Sequence, residues 1–97
     1  MRQGRSYVHR SCALYVLVRG DRAPARVGFA AGRRIGSAVM RNRARRRLRE
    51  AVRRLRQQLP DGVDAVWIGR RPAATQPWPE VEAAVRELLG NAFGAER

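Results

Sequence analysis

The sequence predicts an α+β domain of two layers, a small sheet covered on one side by amphipathic helices. Short runs rich in β-branched and aromatic residues fill the first third and return once later. Two longer stretches repeat apolar residues every three or four positions, one between the strands and one at the C-terminal end. Strands interleaved with helices call for a layered fold, and 97 residues suffice for one domain with a single modest core.

Residues 1–10 show no clear period and are expected to form an irregular entry. The lone His9 there suits surface or packing duty better than metal or proton chemistry, because no second histidine exists to join it. Residues 11–18 are apolar and β-branched, hence a strand, and Tyr15 lies within it. Residues 20–24, with Gly20, Asp21 and Pro24, carry turn chemistry. Residues 25–31 form a second strand that places Val27, Phe29 and Ala31 on one face at period two.

The glycine-bounded loop of residues 32–36 follows, with Arg33 and Arg34 at its centre and Ser37 as the N-cap of what comes next. It matches neither the Walker pattern nor the dinucleotide fingerprint. What it offers is backbone N–H groups at a helix start beside two arginines, a local anion site. The helix is expected over 38–58, stopped by Pro60, with Asp61 and Gly62 completing a turn. Its apolar positions, Ala44, Leu48, Ala51, Val52, Leu55 and Leu59, lie in one stripe. Residues 63–68 alternate into a third strand, whose Trp67 is expected to pack in the core. Residues 73–79 are expected as a loop. A last helix then carries Val81, Val85, Leu88, Leu89 and Ala92 on the face that covers the sheet, giving the order β-β-α-β-α.

Charge says what the domain meets. The formal net charge is +13 and the isoelectric point about 11.9, which points to nucleic acid before an acidic membrane surface. Residues 12–18 are the longest apolar run, far short of a membrane-spanning helix, so no membrane partner is expected. One cysteine, Cys12, excludes an internal disulfide and a cysteine-built metal site, and a cytoplasmic location follows as the default. Nine arginines and one acid, Glu50, fall between Arg41 and Arg56. Asn42, Arg46, Arg49 and Arg53 point away from the apolar stripe, with Arg45 and Arg56 flanking them. Like charges three or four residues apart weaken a helix by about 0.2–0.5 kcal/mol each, so a polyanion is wanted to neutralise them.

A nuclease centre would need clustered carboxylates for metal ions, or a histidine with a proton-transfer partner. Asp21 and Asp61 sit in expected turns, Glu50 lies among arginines, and Glu80, Glu82, Glu87 and Glu96 fall on or beside the last helix. No catalytic residue and no organic cofactor are expected in this chain.

The run R-V-G-F-A-A-G-R-R-I-G-S-A-V-M-R-N-R-A-R-R-R-L-R-E-A-V-R, residues 26–53, closely resembles the signature of the bacterial ribonuclease P protein component family. Arg41-Asn42-Arg43 with Arg45, Arg46, Arg49 and Glu50 match its R-N-R-x-K-R-x-x-R-E pattern, arginine replacing the lysine, and Arg33 and Arg34 occupy its paired-lysine position. The resemblance implies a small two-layer α/β sandwich, ribosomal protein S5 domain 2-like, with a left-handed βαβ crossover through the Arg-rich helix, where strand rules alone favour the right hand. It implies a subunit of a ribonucleoprotein that removes the 5′ leader of precursor tRNA, in which the RNA subunit is the catalyst and holds most of the Mg²⁺. The partners implied are the ribonuclease P RNA subunit and the precursor tRNA leader, with no obligate protein partner. By position it implies RNA binding by Arg33, Arg34, Arg41, Asn42, Arg43, Arg45, Arg46, Arg49 and Arg53, and leader binding by Tyr15. The family's N-terminal helix, with phenylalanines that line the leader cleft, has no counterpart here, so weaker leader binding is expected. A structural ribosomal RNA-binding protein is the alternative.

Overall fold

The computed structural model describes residues 4–94. Strands β1 (Gly4–Val8), β2 (Cys12–Val18), β3 (Arg26–Ala31) and β4 (Val63–Gly69) form one sheet in the order β1-β2-β4-β3. Helix α1 (Ala38–Arg54) crosses from β3 to its parallel neighbour β4; β2 runs antiparallel to both β1 and β4. A short helix α2 (Arg71–Thr75) and a longer α3 (Trp78–Leu89) follow. This is the expected two-layer α+β sandwich, with α1 and α3 on one face of the sheet.

Two expectations need correction. Residues 4–8 are a strand, not an irregular entry. They escape a periodicity search because β1 is an edge strand, exposed except for half-buried Tyr7, and only its backbone pairing with β2 defines it. Residues 71–75 are helical where a loop was expected over 73–79: Pro72 sits in the first turn, where its missing N–H costs nothing, and Ala73 and Ala74 are buried. The expected long helix ends as α-helix at Arg54 and continues as a 3-10 turn over Arg56–Gln58. The last helix starts at Trp78, with Pro77 as its N-cap and Ala92 in the π-helical turn beyond it. Glu96 and the first three residues of the expected entry lie outside the described residues.

The core is built as the apolar spacing requires. Ala44, Leu48, Ala51, Val52, Leu55 and Leu59 are all buried, facing Cys12, Leu14 and Val16 of β2 and Val63, Ala65 and Trp67 of β4. Val27, Phe29 and Ala31 join from β3. Burial pushes the Cys12 thiol up to about 12, against the opposing charge of Arg70, so it packs as a small apolar group. Ser37 caps α1, its hydroxyl accepting from the Met40 N–H at 3.2 Å.

Helix and sheet meet most closely at Gly69. A Cβ there would stand 3.2 Å from the Ala44 Cβ and 3.3 Å from Leu48 Cδ1. The other end of the sheet is tied by Arg19, whose guanidinium bonds Asp21, Asp64 and the carbonyls of Val63, Ala23 and Pro24. Gly62, at φ 81°, turns the chain beneath that clip.

We expect Gly69→Ala to destabilise the domain by about 1–3 kcal/mol through overpacking, and Leu48→Ala by about 2–5 kcal/mol through the cavity it leaves. Urea unfolding followed by circular dichroism measures both, and a Gly69→Ala variant of wild-type stability would show that α1 has room to lift.

Candidate nucleic-acid interface

Helix α1 is held down by its apolar stripe and flanked by arginines that act within the fold. Arg47 donates to the carbonyls of Ala73 at 2.9 Å and Gln76 at 2.7 Å, closing the C-terminal end of α2. Burial, then the neighbouring Arg43, lowers its pKa from the ordinary arginine value. Arg54 reaches toward α3, 5.6 Å from the Trp78 ring centre. On the opposite flank Arg49 lies 5.5 Å over the Phe29 ring of β3, and Arg56 bonds the Ala25 carbonyl at 3.3 Å.

The expected RNA-binding residues divide accordingly. Arg43 and Arg46 on α1, with Arg33 and Arg34 in the 3-10 turn before it, are exposed and make no hydrogen bond or ion pair among the described residues. Arg41 is tethered to the Gly36 carbonyl at 2.7 Å, and Arg45 donates to the Asn42 side chain. Arg53 is held by Glu50 through bonds of 3.1 and 2.7 Å. Hydrogen bonds from Arg53 and then Arg54 pull the Glu50 carboxyl down to about 2, so this exposed cluster keeps its charge pattern throughout the neutral range. Most of the expected arginines therefore share one outward side of the crossover, with Arg53 partly neutralised.

Tyr15 stands elsewhere. It is 52% exposed on the face of the sheet that no helix covers, between Ser6 of β1 and Val66 of β4 in register. Val8 and Val66 are exposed on the same face, with Asp64 and Arg26 paired at its far end. This is an apolar platform with a free aromatic ring, the arrangement on which unpaired bases stack.

Composition gave the sign of the interface but not which arginines are occupied. Arg19, Arg47, Arg70 and Arg71 all serve the fold, bonding carbonyls that only the folded chain brings within their reach. Among the described residues no three of His, Cys, Asp and Glu stand together to hold a metal ion, and no helix is long and apolar enough to cross a membrane.

A family model described as Ribonuclease P matches residues 1–92. The chain is 49% identical over 90 residues to the ribonuclease P protein component of Symbiobacterium thermophilum, covering 93% of this chain and 78% of that protein. It is 49% identical over 91 residues to that of Gluconacetobacter diazotrophicus, with the same coverage of 93% and 78%. Among solved structures, the RNase P protein from Thermotoga maritima superposes with a TM-score of 0.78 at 26% identity, over 92% of this chain and 84% of that one. The Staphylococcus aureus RNase P protein shares the fold, with a TM-score of 0.78 at 24% identity, over 92% of this chain and 81% of that one.

The division among arginines is measurable in the protein alone. Arg47→Ala should lower stability by about 1–3 kcal/mol, since it leaves two carbonyls short of a charged donor. Arg46→Ala should leave the melting temperature unchanged or slightly raised, since it removes like-charge repulsion. Thermal unfolding of both variants checks this, and equal losses would erase the distinction.

Proposed function

Because the chain belongs to the ribonuclease P protein component family, and so to an endoribonuclease ribonucleoprotein, we propose that it lies along the RNA subunit with the outward side of α1 and takes the 5′ leader of precursor tRNA on its open sheet face. The observation that carries this is the set of exposed arginines without protein partners, Arg33, Arg34, Arg43 and Arg46, on and just before a helix fixed by its buried stripe. The buried stripe fixes the backbone from which these side chains project, and each phosphate contact releases condensed counterions. Arg41, Asn42, Arg45, Arg49 and Arg53 complete the side we assign to the RNA subunit.

Chemistry is assigned to the RNA. The protein offers no carboxylate cluster or histidine pair beside its basic side, so we place the catalytic groups and the Mg²⁺ on the RNA subunit. The protein's part is to neutralise phosphates that would otherwise demand more Mg²⁺, and to hold the leader on Tyr15 by stacking. We place this work in the cytoplasm, without an obligate protein partner.

Reconstitution with ribonuclease P RNA is the direct test: at low Mg²⁺ the protein should restore cleavage of precursor tRNA at the 5′ end. A protein that binds ribosomal RNA and leaves cleavage unstimulated would instead support the ribosomal reading.

Binding to the RNA subunit should weaken with salt, log affinity against log salt falling with a slope of about −3 to −4 for four to six phosphate contacts. Replacing Arg46 and Arg49 together by alanine should reduce that slope in magnitude by about 1–2, and an unchanged slope would move the contact off α1.

Tyr15→Ala should weaken binding of precursor tRNA by about 1–3 kcal/mol while leaving affinity for the RNA subunit intact. Fluorescence titration of the holoenzyme with substrate, beside titration of the protein with RNA alone, separates the two. Loss in both would place Tyr15 in the subunit interface.

A further inference from the structure

We propose that Phe29 of β3 is a positioning residue for RNA binding: its ring holds the Arg49 guanidinium in place for a phosphate of the RNA subunit. The inference rests on the reading that the outward side of α1 meets RNA, and goes beyond it in naming a residue outside the helix that sets one of its contacts.

The arginines of α1 differ in how their guanidinium groups are held. Arg41, Arg45, Arg47, Arg53 and Arg54 are held by donating hydrogen bonds, to backbone carbonyls, to Asn42 or to Glu50. Each such bond spends an N–H that a phosphate would otherwise take. Arg43 and Arg46 spend none, and make no hydrogen bond or ion pair among the described residues. Arg49 is both held and unspent. It is exposed, makes no hydrogen bond or ion pair among the described residues, and lies with its guanidinium carbon 5.5 Å over the centre of the Phe29 ring. Glu50, the acid beside it in sequence, is taken by Arg53 and Arg54.

A ring attracts a guanidinium through the face of its π system, so the contact uses none of the five N–H donors. They stay free for the two parallel bonds with which a guanidinium fork meets phosphate. A fork already held over a ring also loses less rotamer freedom on binding than one that swings in solvent. The ring is itself anchored. Phe29 pairs in register with the wholly buried Trp67 of β4 and packs, half-buried, against the core. Strand β3 ends the sheet, so the contact sits at the outer margin of the seam between α1 and the sheet, where a large partner reaches it. Arg54 shows the other use of a ring. It lies 5.6 Å from the centre of Trp78, but it also donates to Glu50 and pairs with Glu82 at 3.8 Å, and so ties α1 to α3.

Titration of the full chain with ribonuclease P RNA tests this, with the melting temperature of each variant measured beside it. Phe29→Leu, which keeps an apolar side chain against the core and removes the ring, should weaken binding about two- to fivefold. Phe29→Tyr keeps the ring and should retain wild-type affinity. In an Arg49→Ala background, Phe29→Leu should cause no further loss, since the ring then has no guanidinium to hold. In the free protein, the δ-methylene protons of Arg49 should resonate upfield of their ordinary position through the ring current of Phe29, a shift that Phe29→Leu abolishes. Four results would each overturn the assignment: ordinary Arg49 shifts in the wild type, wild-type affinity for Phe29→Leu, an equal loss with Phe29→Tyr, or a loss that persists without Arg49. Any of them leaves the proposed function standing where the wild-type chain binds the RNA subunit and stimulates cleavage. A wild-type chain that does neither overturns both.

Discussion

Everything in this domain depends on pressing an arginine-rich helix against a small sheet. Helix α1 repels itself along its length, with one acid among its arginines, and in isolation its like-charge pairs would oppose it. Tertiary burial holds it, the usual source of helical stability in proteins. Ala44 and Leu48 come within contact of the position a side chain on Gly69 would take, so the helix sits as low on β4 as the backbone allows. That approach puts Leu48, Ala51 and Val52 wholly inside and leaves the opposite side no choice but solvent or a ligand.

The arginines then fall into two kinds by what they can reach. On the flanks the sheet and the later helices bring carbonyls, rings and acids within range, and the guanidinium groups are used there: Arg47 on α2, Arg54 beside Trp78, Arg56 on the Ala25 carbonyl. On the outward side the acid within reach among the described residues is Glu50, and it engages Arg53 and Arg54. Structural arginines therefore frame the free ones. The frame leaves Arg43 and Arg46 exposed and without hydrogen bond or ion pair among the described residues.

Much of this was legible from spacing. The stripe from Ala44 to Leu59, the Ser37 cap, the Gly62 turn and the core position of Trp67 each follow from a local rule, and the structure keeps them all. Strand β1 was not legible, because an exposed edge strand carries no apolar alternation and is defined by partners distant in sequence. Helix α2 was hidden by Pro72, which reads as a breaker unless the first turn is recognised. The structural work of Arg19 and Arg47 was invisible for a related reason: the carbonyls they satisfy come from segments that only the fold brings near. The open face around Tyr15 follows from topology, since a sheet with both long helices on one side has a bare side by necessity.

That bare side and the outward side of α1 are two separate surfaces of one small chain. The outward arginines of α1 and the ring of Tyr15 are separated by the helix layer and the sheet, so a single phosphate backbone cannot lie on both without turning around an end of the molecule. One end is sealed by Arg19, which ties the loop after β2 to Asp64 and to the start of β4. At the other, the chain passes from β3 into α1 through Gly32 and Gly36, and Arg10, Arg33, Arg34, Arg70 and Arg71 gather there. Positive charge thus gathers along this edge, between the helix side and the sheet side. If an RNA chain is to pass from one face to the other, that edge is where the electrostatic cost is lowest.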